Sequence, residues 1–179
     1  MYGAPVDFSF KSLSSVADAL NEEPNHGLRP VRKNSEDKFC SRSLRLNNNF
    51  LTELSGLCET VKHYFSEPAL LSWLDLSFND ISHINAVLCE LPELRVLYLH
   101  GNSICNLSEV DKLGALPFLH TLTMHGNSVE NENGYRRYVI AVLPQLKKFD
   151  FSAITRQERT LAQVWQRPGN RGKSGRKGT

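Results

Sequence analysis

A chain of 179 residues, 40% apolar and 22% charged, has the makeup of an ordinary globular domain and enough length to bury one core. A net charge of +2 gives the chain as a whole no strong attraction to nucleic acid. The charge is uneven: Arg167, Arg171, Lys173, Arg176 and Lys177 crowd the C-terminus, and without these five the net charge falls from +2 to −3.

Met1 is followed by YGAPVDFSFKS, with no apolar run of signal-peptide length. No stretch approaches the roughly 18 apolar residues that span a bilayer. The expectation is a soluble, cytoplasmic chain with no membrane contact. Residues 1–40 are expected to be an N-terminal extension or cap. Within them Val16, Ala19 and Leu20 predict a short amphipathic helix, ended by Asn21-Glu22-Glu23-Pro24 because proline disfavours helix in the residue before it. GLRPVRKNSEDK then reads as loop. Phe8, Phe10, Val16 and Leu20 are the residues available to cover an open end of the following fold. A free, disordered arm is the other reading of this segment.

From Ser41 a pattern sets in. LSWLDLSFNDISHI, LRVLYLHGNSICNL and LHTLTMHGNSVENE read L-x-x-L-x-L-x-x-N-x-L, with conservative replacements at the apolar positions, and SRSLRLNNNFLTEL follows the same string from Leu44 onward. The asparagines are Asn49, Asn79, Asn102 and Asn127, spaced 30, 23 and 25 residues apart. Periods of about 20–29 residues with this string are the signature of a leucine-rich-repeat solenoid, each unit giving one strand and one return segment. Leu44 and Leu46, Leu74 and Leu76, Leu97 and Leu99, and Leu122 and Met124 are the inward strand residues. The asparagine amides, able to donate and accept, are expected to bond the backbone of adjoining coils. The long first interval is explained by Leu54, Leu57, Cys58, Val61 and Phe65, at helical spacing, which predict about three helical turns ended by Pro68.

The repeats occupy residues 41–130, and residues 131–166 are expected to close them. GYRRYVIAVLP predicts a helix ended by Pro144, LKKFDFSAI a last strand with Leu146, Phe149 and Phe151 inward, and Thr155-Arg156-Gln157-Glu158 a capping box that opens a helix carrying Leu161, Val164 and Trp165. Such a unit removes the open sheet edge that would otherwise recruit other chains. Residues 167–179 are expected to be a disordered basic tail, either merely solubilising or in contact with an acidic surface such as tubulin or RNA. The fold class is α/β: a leucine-rich-repeat solenoid with a parallel concave sheet, a helical and 3-10 convex side, and caps at both ends.

No phosphate loop, dinucleotide fingerprint, zincin motif or nucleophile elbow is present. Cys40, Cys58, Cys89 and Cys105 lack paired spacing and read as reduced thiols. His100-Gly101 and His125-Gly126 recur because the repeat recurs, so no cofactor, metal site, small-molecule substrate or catalytic residue is expected. Function should lie in binding. Strand alternation turns the residues beside the inward leucines toward the concave face, among them Arg45, Trp73, Asp75, Tyr98, His100, Thr123 and His125, with Lys148, Asp150 and Ser152 from the last unit. Trp73 beside Tyr98 is the composition of an interface hot spot; the other reading is a pair simply covered by the N-terminal segment or solvated.

The short coils, the H-G-N turns and the Tyr135-Arg136-Arg137-Tyr138-Val139-Ile140 stretch before Phe149-Asp150-Phe151 resemble intracellular leucine-rich repeats of the protein-phosphatase-regulator type with their C-terminal cap. The resemblance runs from about Ser41 to Gln166. Similar caps occur in a spliceosomal subunit and in ciliary and axonemal proteins. The resemblance implies a non-enzymatic scaffold that binds other proteins, with an axonemal or tubulin-associated partner and a place in the cytoplasm or ciliary axoneme. It also leaves a ribonucleoprotein subunit or a phosphatase-regulatory adaptor as alternatives, and nucleic acid as the less favoured partner.

Overall fold

A computed structural model describes residues 2–166. Six short strands wind in parallel into one curved sheet: β1 (Val6–Asp7), β2 (Ser43–Arg45), β3 (Trp73–Asp75), β4 (Val96–Tyr98), β5 (Thr121–Thr123) and β6 (Lys148–Phe149). Each follows its neighbour in sequence and lies beside it in space, as a solenoid requires. The register aligns Val6, Leu44, Leu74, Leu97, Leu122 and Phe149 as one inward row. One row on, Phe8, Leu46, Leu76, Leu99 and Met124 form a second, entirely excluded from water. Their amides donate across the sheet, Leu46 to Asp75, Leu76 to Tyr98 and Leu99 to Thr123, at 2.8–3.0 Å.

The asparagine side chains hold the turns. Asn79 Oδ1 accepts from Leu51 N at 3.0 Å, and its Nδ2 donates to Leu46 O and Leu76 O at 3.0 and 3.1 Å. Asn102 and Asn127 repeat the arrangement one and two coils on. The carbonyls of Leu46, Leu76 and Leu99 therefore each take two amide donors, one from their own coil and one from the next. The return segments are 3-10 turns at Pro68–Leu70, Ala86–Glu90, Leu107–Ala115 and Ser128–Asn131. The helix after the first full coil, α1 (Leu57–Tyr64), is eight residues, shorter than the three turns that the spacing predicts, because the chain is already extended at Phe65.

The N-terminal segment is docked as an incomplete coil. Val6 and Phe8 fill the two inward rows, and Lys11 stands where an asparagine belongs. Asn49 compensates from the next coil, accepting from Lys11 N and Leu13 N at 3.0 Å and donating to Phe8 O. A 3-10 turn, Val16–Asn21, lies on α1, where the Tyr64 hydroxyl donates to Ala19 O at 2.6 Å. Of the covering residues expected from sequence, Phe8 and Val16 are fully buried, but Phe10 and Leu20 are 73% and 40% exposed. Phe10 is turned outward by its positive φ of 57°, and Leu13 and Ala19 do the covering instead. Asn25 closes the outer edge of β1, its backbone N–H bonding Asp7 O at 2.7 Å and its side chain Ser9 O at 2.8 Å.

At the other end the chain passes through α2 (Tyr135–Val142), then reverses: β7 (Ser152–Ala153) pairs antiparallel with β6. The two-residue loop between them, Asp150-Phe151, has φ of 48° and 61°, the double positive φ of a type I′ hairpin. Phe151 is thereby 56% exposed, which corrects its assignment as an inward residue. α3 (Arg156–Gln166) starts from the Thr155–Glu158 capping box, its reciprocal bonds 2.8 and 3.1 Å long. Leu161 and Val164 are exposed rather than packed, and Ala162 is the residue α3 buries. α3 docks on α2 through Ala162 and Trp165, which pack with Ile140 and Ala141, and through polar contacts that periodicity does not show. Arg159 donates to the C-terminal carbonyls of α2, Ile140 at 2.5 Å and Leu143 at 3.2 Å, and to Leu146 at 2.6 Å. Arg136 binds Glu158 at 2.6 Å. The expected tail, 167–179, lies outside the described residues.

The Arg136 guanidinium, with the Thr155 amide, holds the Glu158 carboxyl down at about 2 against an ordinary 4.5. A carboxyl with a lowered folded value stabilises the fold above its unfolded value and loses that contribution as pH falls through the folded one. Glu158→Gln is therefore expected to melt below the parent protein at neutral pH, the gap closing between about pH 5 and pH 2. Melting curves that stay equally separated across that window would remove the Arg136–Glu158 pair from the acid response.

Candidate protein interface

The concave surface consists of three rows. Arg45, Asp75, Tyr98 and Thr123 share one register, Ser43, Trp73, Val96, Thr121 and Lys148 another. Asn47, Ser77, His100 and His125 form the third, carried by the backbone bonds from Asn48, Phe78 and Gly101 to the next coil. The strand residues beside the buried leucines thus do reach this face, but not all of them offer surface. Thr123 is fully buried, its hydroxyl bonded to His100 Nδ1 at 2.7 Å, which corrects its place among the contact residues. Ser43, Ser77 and Val96 are likewise covered. Asp75 turns inward on its own strand end, Oδ1 accepting from the Ser77 amide and hydroxyl at 2.9 and 2.6 Å.

What remains is a strip of rings. Arg45 lies over Trp73 at 5.6 Å, while 3.4 Å separates its guanidinium from Asp7. Trp73 meets Tyr98 edge-on at 5.5 Å, and Tyr98 meets His100 at 5.8 Å. The imidazoles of His100 and His125 stack at 4.7 Å with their planes 6° apart. Phe151 touches Tyr98, His100 and His125 at 5.4–5.7 Å, and Phe78 meets His100 edge-on at 5.2 Å. Burial, then the neighbouring His125, lowers the pKa of His100, so the stacked pair favours a neutral ring there at neutral pH. Aromatic rings held against one another by a rigid sheet lose little freedom when a partner covers them, which makes such a strip suited to binding.

Phe78 and Phe151 were invisible to alternation for one reason. Both sit at positive φ, 53° and 61°, where a side chain leaves the strand's two-faced pattern. The signal was available in part: Phe78 stands where the next two coils carry Gly101 and Gly126, both at positive φ. Gly101 is needed for a second reason, since a Cβ there would meet the Phe78 ring at 2.6 Å.

A histidine–carboxylate contact exists on this face, His125 Nδ1 lying 3.2 Å from Asp150 Oδ1. It has structural work. Asp150 also accepts from Met124 N at 2.7 Å, His125 N at 3.1 Å and the Tyr135 hydroxyl at 2.7 Å, pinning the β6–β7 hairpin to the preceding coil. Burial and this carboxylate push the Tyr135 phenol far above its ordinary value. Asp150 is thus occupied by four donors, and the Thr123 hydroxyl that bonds His100 is buried. The four asparagines are interior, none on the concave surface. Among the described residues no group of three or more His, Cys, Asp or Glu is placed to hold a metal ion. Nor is any helix there long and apolar enough to cross a membrane.

Comparison with known proteins agrees with this architecture. A leucine-rich-repeat family profile matches residues 65–177. Leucine-rich repeat-containing protein 51 of Bos taurus is 49% identical over 163 residues, 91% of this chain and 85% of that protein. Its Homo sapiens counterpart is 47% identical over the same shares of each chain. Among solved structures, a chain of the Drosophila melanogaster SNF/U2A' complex is similar, with 28% identity and a TM-score of 0.64, over 80% of this chain and 79% of that one.

Proposed function

The chain belongs to the leucine-rich-repeat family, alongside the proteins called leucine-rich repeat-containing protein 51, and from that membership we propose that it is a non-catalytic scaffold that holds another protein on its concave face. The observation that supports this reading is the ring strip Trp73–Tyr98–His100–His125–Phe151, carried on four successive coils of one rigid sheet. Relatives bear repeat names and no enzyme name, in keeping with a binding role. The double change Trp73→Ala, Tyr98→Ala removes the centre of the strip without touching the buried leucine rows. It is expected to strip bound proteins from the full-length chain in extracts of ciliated cells, while the melting temperature moves little. An unchanged set of bound proteins would end the concave-face reading.

We extend the proposal to an axonemal or tubulin-associated partner and a cytoplasmic or ciliary location, supported by the likeness of the C-terminal cap to those of ciliary and axonemal proteins. A tagged chain absent from cilia and from microtubule pellets would sink this extension and leave the binding role intact. A second reading, a ribonucleoprotein subunit, draws support from the similarity to a chain of the SNF/U2A' complex. On that reading the chain co-purifies with RNA, and the association weakens steeply with salt.

A further inference from the structure

The concave strip leaves one charged surface unused. The residues immediately before β2, β3, β4, β5 and β6 are Arg42, Ser72, Arg95, His120 and Lys147. They are joined as a ladder, each amide bonding the carbonyl of the one before: Ser72 to Arg42, Arg95 to Ser72, His120 to Arg95 and Lys147 to His120, at 2.8–3.0 Å. Strands about 4.8 Å apart put Arg42, Arg95 and Lys147 on alternate strands along a rim of about 19 Å, with His120 between the last two and Lys148 one residue further in. Arg42, Lys147 and Lys148 are exposed and carry no ion pair among the described residues. Arg95 is engaged by Glu93 at 3.3 Å and lies over Phe118 at 5.3 Å. Between Arg42 and Arg95 the rim opens into a polar cleft of about 210 Å³, lined also by Tyr2, Ser72 and Glu93. The Tyr2 hydroxyl lies 3.3 Å from His120 Nε2. The rim is felt electrostatically: after burial, the cations Lys147, Arg95 and Lys148 are what lower the pKa of His120.

We propose that this rim, at the strand N-terminal side of the sheet, is a docking surface for a carboxylate-rich segment of a partner protein. The proposal goes beyond the concave-face reading and stands without it. Charge complementarity selects the occupant. Outside the five tail cations the chain carries −3, while the rim gathers Arg42, Arg95, Lys147 and Lys148. Beyond a Debye length of about 8 Å their field is screened. A short acidic stretch, contacting only the rim, gains the attraction without meeting the negative remainder. A nucleic acid strand projects charge well past the rim, where the remainder of the chain is net negative. Carboxylates also suit single guanidinium and ammonium groups standing on alternate strands, each taking one or two oxygens.

The test uses the full chain, a fluorescein-labelled oligoglutamate peptide and an oligouridylate of equal length, with anisotropy read at low salt. Oligoglutamate is expected to bind. The triple reversal Arg42→Glu, Lys147→Glu, Lys148→Glu should weaken it by about tenfold or more, like-charge contacts now facing the ligand. Neutralising Arg42, Lys147 and Lys148 to Gln should give an intermediate loss with the fold intact by circular dichroism. Replacing Arg167, Arg171, Lys173, Arg176 and Lys177 by Gln should change the affinity by less than about threefold if the rim is the site. The proposal is overturned if rim reversal leaves oligoglutamate binding unchanged, if tail neutralisation abolishes it, or if oligouridylate binds more tightly and is the ligand lost on rim reversal.

Discussion

Leu99→Ala is expected to cost about 2–5 kcal/mol of unfolding free energy, the range for deleting a buried leucine side chain where the surroundings relax only in part. Leu99 is completely excluded from water. It is an interior member of the row Phe8, Leu46, Leu76, Leu99, Met124, so a cavity there opens on both neighbouring coils rather than at an end that can settle. Urea titration should show a lower midpoint, with the slope unchanged if the solenoid still unfolds as one unit. The matched control is Leu161→Ala on α3. That leucine is 57% exposed, and its loss should stay within about 0.5 kcal/mol. Sequence periodicity treats both leucines as core; only the structure separates them. A neutral Leu99→Ala, or a Leu161→Ala of equal cost, would contradict the inward row.

That contrast marks where the sequence was legible. The period of the leucines and asparagines determines the strand register, because a side chain displaced by one position would exchange the core row for the concave row. Leu46, Leu76, Leu99 and Met124 therefore align as the repeat demands. Two things escaped. Side chains at positive φ, Phe10, Phe78 and Phe151, obey neither face of the strand, and Phe151 passes from expected core to the concave surface on the strength of a two-residue hairpin. Docking by charged groups onto carbonyls, as Arg159 does for α2, has no periodic signal; of the three residues that mark the helix in the sequence, Trp165 packs against α2 while Leu161 and Val164 are exposed. The concave face was legible as a face. Which of its residues are available was not: Thr123 is closed off by a hydrogen bond to His100 from the neighbouring coil, a relation between residues 23 apart in sequence.

Asn79→Ala should be nearly as damaging as a core leucine, although the side chain removed is polar. Its amide satisfies four backbone groups in two coils: Leu51 N–H, Leu46 C=O, Leu76 C=O and, at 3.3 Å, Ser77 C=O. The carbonyls keep a donor each, Leu46 O from Asn49 and Leu76 O from Asn102. Leu51 N–H loses the partner it has in Asn79, in a residue wholly excluded from water. An orphaned buried donor costs about 1–3 kcal/mol, and the weakened carbonyl bonds add about 1 kcal/mol, giving about 2–4 kcal/mol in denaturant titration. Asn79→Asp separates the parts. It keeps the acceptor for Leu51 N–H but brings a carboxylate against Leu46 O and Leu76 O, so it should be destabilised most at neutral pH and recover as the pH drops through the carboxyl's raised value. If Asn79→Ala proves neutral, or Asn79→Asp shows no recovery in acid, the asparagine is not what fastens one coil to the next.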